Sequence, residues 1–154
     1  MAGMHHTAYA TKDLRATVDF YEQVMGFPLV HTEISAHGVG FHRHVFFDTG
    51  DGTCIAFFDL HGVGEADDWS AAPTGANGQP VWVTHIAFAA TADEQEALRE
   101  RASARGVDAF DLDHGWCQSV YAIDPNGIMV EFCRDTPGFT PNPDAAHRLL
   151  DATP

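Results

Sequence analysis

Two stretches of this chain, HTAYA starting at His6 and HIAFA starting at His85, are nearly the same string placed 79 residues apart. The offset recurs: Gly26 matches Gly106 at 80 residues, and Gly52 matches Gly127 at 75. Self-similarity at such a period means one supersecondary unit used twice. In the first copy His6, Ala8 and Ala10 alternate with Thr7, Tyr9 and Thr11, the pattern of a strand. A helix follows, capped by Thr11 or Asp13. Its apolar residues Leu14, Val18, Phe20, Tyr21, Val24 and Met25 fall at helical spacing, and Gly26 stops it. Strands are expected over residues 28–34, 41–47 and 53–59, with glycine-bearing turns between them. In the second copy residues 81–89 read as a strand. Thr91 caps a helix running through Arg105, Gly106 ends it, and strands follow near 109–112, 119–123 and 128–133. The expected fold is α+β, two paired βαβββ modules forming a curved mixed sheet. One such unit cannot bury its sheet alone, so the halves must pack within a chain or between chains.

A length of 154 residues suits a single domain, 1–154. Module one spans about 4–60 and module two about 81–134. A Gly/Asp/Ala/Pro-rich connector, 61–80, is long enough to act as a lid, a wall or an exchanged segment. The tail, 135–154, carries three prolines before a short helical stretch and is expected to drape over the surface.

The hairpin near the end of module two has a readable turn. Asp124-Pro125-Asn126-Gly127 suits a type I turn closed by a left-handed glycine. That loop pairs residue 124 with 128, and so sets Tyr121 beside Glu131 on one face. On the same face as Glu131 lie Met129 and Cys133, while Ile128, Val130 and Phe132 turn toward the helix. His6 and His85 each begin a strand whose same-face neighbours are alanines. Two imidazoles and one carboxylate therefore project to the polar side of the sheet, with room beside them. Two His and one carboxylate with open positions are the ligand set of non-haem Fe(II) oxygenases. Counting four residues past the turn glycine gives Glu131 from Gly127 but Ala56 from Gly52, so the first copy lacks the matching carboxylate.

Composition narrows the partners. A net charge of −14 leaves no basic footprint for nucleic acid and disfavours anionic membranes. No apolar run approaches the ~18 residues of a membrane span, and the N-terminus lacks the basic-then-apolar order of a secretory signal. Three cysteines, Cys54, Cys117 and Cys133, without CxxC spacing, fit reduced thiols in the cytoplasm.

The stretch His114 to Glu131 resembles the signature of type I extradiol ring-cleaving dioxygenases, filled by His114, Val120-Tyr121, Asp124-Pro125, Gly127 and Glu131 and departing from it at Leu112. From Met4 to Arg134 the chain resembles the vicinal oxygen chelate superfamily, which contains glyoxalases, bleomycin-resistance proteins and those dioxygenases. The resemblance implies a divalent metal held by His6, His85 and Glu131, with Fe(II) expected and Mn(II), Ni(II) or Zn(II) as alternatives. It implies that Tyr121 and His114 contact a catechol-like aromatic substrate and O2, and that the chain forms a homodimer. Ala56 stands where glyoxalase I enzymes keep a fourth ligand, a Glu. No residue matches the second-sphere His of extradiol enzymes by motif; His44 and His61 are substitutes by proximity. Phe41, Phe46, Phe58 and Trp116 are candidate apolar walls. His5 reads as a surface residue facing away from His6, and His31, His37 and His147 as solvated. Two rival readings stand beside the dioxygenase: a metal-dependent transferase, isomerase or epimerase of the fosfomycin-resistance or glyoxalase kind, and a metal-free drug-binding resistance protein. Retention of all three ligand types argues against the last.

Overall fold

The computed structural model describes residues 3–74, 78–150 and 152–153. Each half folds as the repeat requires. The first contains β1 (His6–Thr11), α1 (Leu14–Asp19), β2 (Leu29–His37), β3 (Gly40–Asp48) and β4 (Cys54–His61). The second contains β5 (His85–Ala89), α2 (Ala92–Ala104), β6 (Ala109–Asp113), β7 (Cys117–Ile123) and β8 (Met129–Asp135). Two four-stranded mixed sheets result, ordered β1-β4-β3-β2 and β5-β8-β7-β6. In each, the first strand runs parallel to the last, and the other neighbours are antiparallel.

The local signals explain the element ends. The Asp13 carboxylate accepts from the Ala16 N–H and caps α1. Beyond Asp19 the helix widens to π winding over Phe20–Met25, where Phe20, Tyr21, Val24 and Met25 are buried, and Gly26 closes it at φ 80°. Thr91 and Glu94 form a reciprocal capping box on α2. The strand expected over 81–89 is shorter: Pro80 leads into a 3-10 turn, Val81–Val83, and the strand begins at His85. The tail forms a short helix, α3 (Pro143–Leu149). In the connector, Lys12 lies over the Trp69 ring and Ala72 sits against Gly127, so this segment rests beside the β7–β8 turn. None of the described helices is long and apolar enough to cross a membrane.

One core joins the two halves. Tyr21, Met25, Phe47, Ile55 and Phe57 of the first cluster with Leu98, Val120, Ile128, Val130 and Phe132 of the second. Phe27 meets both Phe88 and Phe132. Polar ties follow the same seam: the Arg101 guanidinium donates to the carbonyls of Val24 and Met25 at 2.7 and 3.0 Å, and Arg105 pairs with Asp19. The residues filling this core come from the helix sides of every strand except β2, which leaves His6, His85 and Glu131 on the opposite faces.

The β7–β8 turn is locked from inside. Asp124 is only 4% exposed. Its Oδ1 accepts the N–H groups of Asn126 and Ile128, both at 2.8 Å, and its Oδ2 accepts from the Asn126 side-chain amide and from the Tyr21 hydroxyl at 3.1 Å. The Asn126 amide also donates to Thr17 Oγ1 on α1. Removing the carboxylate leaves the two backbone N–H groups and the Tyr21 hydroxyl without this acceptor, and the Asn126 amide with Thr17 Oγ1 alone. Asp124→Ala should therefore cost about 2–4 kcal/mol of unfolding free energy, read as a lowered urea midpoint; an unchanged midpoint would refute the role given to this turn.

Candidate metal and substrate site

The second sheet carries most of the site. Tyr121 lies opposite Glu131 and Ala87 lies on its other side, the register expected from the turn. Glu131 is 3% exposed, and its Oε1 accepts a short hydrogen bond from the Ser119 hydroxyl. Its Oε2 sits 3.2 Å from His85 Nε2. His85 Nδ1 lies 2.9 Å from the Trp82 carbonyl, which can only accept, so Nδ1 carries a proton. Nε2 then either holds a second proton or aims its lone pair at a carboxylate. A cation between the two groups relieves that arrangement, and a buried carboxylate met by side chains alone, the Ser119 and Tyr121 hydroxyls and His85, suits one. The donor set therefore fits a divalent metal.

Above this pair stands a phenol–imidazole couple. His114 Nε2 and the Tyr121 hydroxyl are 2.9 Å apart. Burial pushes the Tyr121 phenol above its usual pKa, and the neighbouring Glu131 charge adds to the shift, so Tyr121 is a neutral donor at ordinary pH. Phe110 stacks on the Tyr121 ring with centroids 5.2 Å apart. Trp82, Phe110, Leu112 and Met129 wall a cavity of about 300 Å³ whose polar corner is His85, His114 and Tyr121. Among the described residues, no Lys or Arg lines it. Leu112, the residue that departs from the extradiol signature, is one of the apolar walls.

The first sheet holds His6 in a different setting. Its Nδ1 is 2.8 Å from His5 Nδ1, so His5 does not face away but turns back onto its neighbour. Phe46 and His44 lie edge-on to the His6 ring at 5.4 and 6.1 Å. His44 is 7% exposed, stacks on Phe58 and places Nδ1 3.2 Å from Glu33. Its Nε2 is buried without a hydrogen-bond partner. Burial holds the His44 pKa below its usual value against the pull of Glu33, so this imidazole is neutral near pH 7. His61 does not share the face. It bonds Asp59 at 2.9 Å, lies 3.2 Å from Arg43, and stacks on Phe41, all on the opposite side of the sheet. Of the two substitutes for a second-sphere His, only His44 is beside His6. Phe41 is likewise outside the site, while Trp116 packs on Phe139 of the tail. Of the imidazoles read as solvated, His31 lies 3.9 Å from Glu33 and His37 stacks on His42.

The duplicated geometry places Ala56 where Glu131 stands. Ala8 pairs with Ala56 in β4, as Ala87 pairs with Glu131 in β8. The first copy thus supplies His6 and no carboxylate at that register. Among the described residues, no hydrogen bond, ion pair or ring contact joins His6 to His85 or Glu131. The His, Cys and carboxylate atoms that do gather within 4.8 Å are those of His114, Cys117 and Glu131. Sequence reading passes over Ser119 and takes Cys117 as an ordinary thiol. The signal was the alternation Cys117, Ser119, Tyr121, which puts all three on Glu131's face. Burial pushes the nearby Cys133 thiol to about 11.

The sequence model of the Glyoxalase/Bleomycin resistance protein/Dioxygenase superfamily matches residues 3–132. A comparison with curated proteins returns no match. Among solved structures, a glyoxylase/bleomycin resistance protein/dioxygenase domain from Frankia sp. EAN1pec is similar at TM-score 0.64 and 15% identity, covering 88% of this chain and 99% of its own. The fosfomycin resistance protein FosX from Listeria monocytogenes, complexed with Mn(II) and sulfate, is similar at TM-score 0.61 and 19% identity, with coverage of 90% and 97%. An integron cassette protein from the Halifax Harbour sewage outfall metagenome gives 0.59 and 21%, with 87% and 99%. At these identities the likeness speaks for the fold. The match over residues 3–132, on a chain folded as two βαβββ units, places this protein in the glyoxalase/bleomycin resistance/dioxygenase, or vicinal oxygen chelate, superfamily.

Proposed function

We propose that this protein is an Fe(II)-dependent, extradiol-type ring-cleaving dioxygenase acting on a small catechol-like aromatic, and that it works as a homodimer. His6 of one copy would join His85 and Glu131 of the other as metal ligands. The observation that carries the reading is the aromatic-walled cavity beside His85 and Glu131, with no Lys or Arg among its described lining residues and the neutral Tyr121 phenol bonded to His114 at its polar corner. A flat apolar ring suits Trp82, Phe110 and Leu112, and its hydroxyls suit Tyr121 and His114. The trans arrangement is supported by the shared core. The helix-side residues of both sheets fill one cluster, which turns the ligand-bearing faces away from each other within a chain.

Fe(II), when bound, would supply Lewis acidity toward the vicinal oxygens and the one-electron chemistry that O2 requires. The chain's own residues do the rest. Ser119 holds one oxygen of Glu131, and the Trp82 carbonyl fixes the tautomer of His85. Tyr121 donates to a substrate oxygen and is oriented by His114 Nε2. His44, neutral and with Nε2 unpartnered, is the group of the first sheet able to accept a substrate proton, its other nitrogen being held by Glu33. The apolar walls keep water from the reacting ring.

The second reading is a Mn(II)-dependent fosfomycin-resistance-like enzyme, favoured by the fold shared with FosX. A phosphonate substrate needs cationic contacts, and the cavity has no Lys or Arg among its described lining residues. Anaerobic loading with Fe(II), followed by oxygen uptake and formation of the yellow ring-opened product with a set of catechols, distinguishes the two. If no catechol consumes oxygen while an epoxide or a glutathione hemithioacetal is turned over with Mn(II), Ni(II) or Zn(II), the second reading replaces the first.

Two further outcomes are expected. Tyr121→Phe should slow ring opening by roughly tenfold to a thousandfold, the loss of one positioned donor, with metal content unchanged. His6→Ala and Glu131→Ala homodimers should each lose stoichiometric Fe(II), whereas dimers mixed from the two variants should regain one Fe(II) per dimer. Mixed dimers without Fe(II), or a monomer by light scattering at micromolar concentration, would rule out the trans site.

A further inference from the structure

We propose that each chain carries a second, soft-metal site made by His114, Cys117 and Glu131, selective for Zn(II)-like ions and complete within one chain. The geometry comes from the β6–β7 hairpin. Asp113 pairs with Gln118, and the His114 N–H donates to the Cys117 carbonyl at 3.0 Å. His114 and Cys117 are thus the closing pair of a two-residue loop, Gly115-Trp116, with Gly115 at φ 82°. Residues directly opposite in such a pair project to the same face with their Cβ atoms about 5 Å apart. Glu131 comes up on that face from β8, opposite Tyr121.

The ligand atoms of the three already lie within 4.8 Å of one another. Zinc bonds of about 2.0–2.3 Å at tetrahedral angles set ligand atoms about 3.5 Å apart. Closing the difference falls to His114, whose side chain stands at an exposed hairpin tip, while Cys117 and Glu131 are fixed by burial at 2% and 3% exposure. Thiolate, imidazole and carboxylate together select zinc or cobalt over the harder ions that a two-His, one-carboxylate set accepts. The Cys117 thiol gives its proton to solvent as the metal binds. The fourth position is left to water or to the Tyr121 hydroxyl, which the metal releases from His114.

The site goes beyond the proposed dioxygenase, although both draw on Glu131. Zn(II) bound here takes the carboxylate from the set shared with His6 and His85, and takes His114 from Tyr121. Zinc should therefore act as an inhibitor, and the chain can hold it as a monomer.

The test is optical titration of the metal-free, reduced protein with Co(II), because a cobalt–thiolate bond gives a charge-transfer band in the near ultraviolet that nitrogen and oxygen ligands do not. The wild-type protein should develop the band to one equivalent per chain, and Zn(II) should bleach it. Cys117→Ser should abolish it, and so should His114→Ala, whose exposed position leaves folding intact. Cys133→Ser and His6→Ala should keep it. No band in the wild-type protein, or a band surviving Cys117→Ser, would overturn the site. His6→Ala separates the two claims: failure of the dioxygenase reading leaves the cobalt band in place, and failure of this site leaves the His6-dependent metal untouched.

Discussion

The arrangement of this protein rests on the hydrogen bonds into Asp124. Its two oxygens hold the N–H groups of Asn126 and Ile128, the amide of Asn126 and the hydroxyl of Tyr21. The first three fix the hairpin turn, and the last fastens that turn to the helix of the other module. Register follows from the turn, and in a strand a slip of one residue exchanges the two faces. Slipped by one, β8 would bury Glu131 against the helices and put Val130 into the site. The contact that joins the halves is thus the one that aims the carboxylate.

The hairpin contains a second buried carboxylate, and the two differ in how they are satisfied. Asp124 has four donors and needs nothing more. Glu131, just as buried, is met by the hydroxyls of Ser119 and Tyr121 and by an imidazole that already spends one proton on a backbone carbonyl. These partners are all side chains, and a cation beside such a buried carboxylate offsets the cost of its burial. Two acids of the same chemistry, seven residues apart in sequence, thus differ in setting: Asp124 is closed by backbone and side-chain donors, and Glu131 is met by side chains on the face of His85 and Tyr121.

Much of this was legible in the sequence because periodicity carries it. The duplicated strand, the turn glycines and the alternation around Glu131 gave both modules, the pairing of Tyr121 with Glu131 and the equivalence of Ala56 to Glu131. What escaped depends on where an element lies relative to others far along the chain. Alternation says that His44 and His61 take opposite faces only once their strands are known to be β3 and β4 with a fixed register. His5 turning onto His6, the 3-10 turn at Val81–Val83 and the π winding after Asp19 are local choices that tertiary packing decides. Trp82 as a cavity wall, and the Trp82 carbonyl as the partner of His85, follow from that same turn. Cys117 and Ser119 were visible as an alternating pair, but a thiol and a hydroxyl on a strand are common without function, so the pattern alone gave them no weight.

Duplication explains why neither half suffices. The two sheets repeat the same pairings, with His6 over Cys54 in one and His85 over Met129 in the other. Their polar contents have diverged. The first sheet keeps an imidazole, a second imidazole held by Glu33 and two phenylalanines; the second keeps an imidazole, a carboxylate and the phenol. The core binds the two sheets through their helix sides, with Tyr21, Arg101 and Arg105 as polar ties across the seam. A carboxylate at residue 56 would have made the first sheet's set more self-sufficient. In the proposed enzyme, alanine there would make the metal depend on the second sheet and would leave space on the first for a substrate that brings its own oxygens. What the second sheet keeps instead is a buried Glu131 with the ligand atoms of His114 and Cys117 gathered beside it.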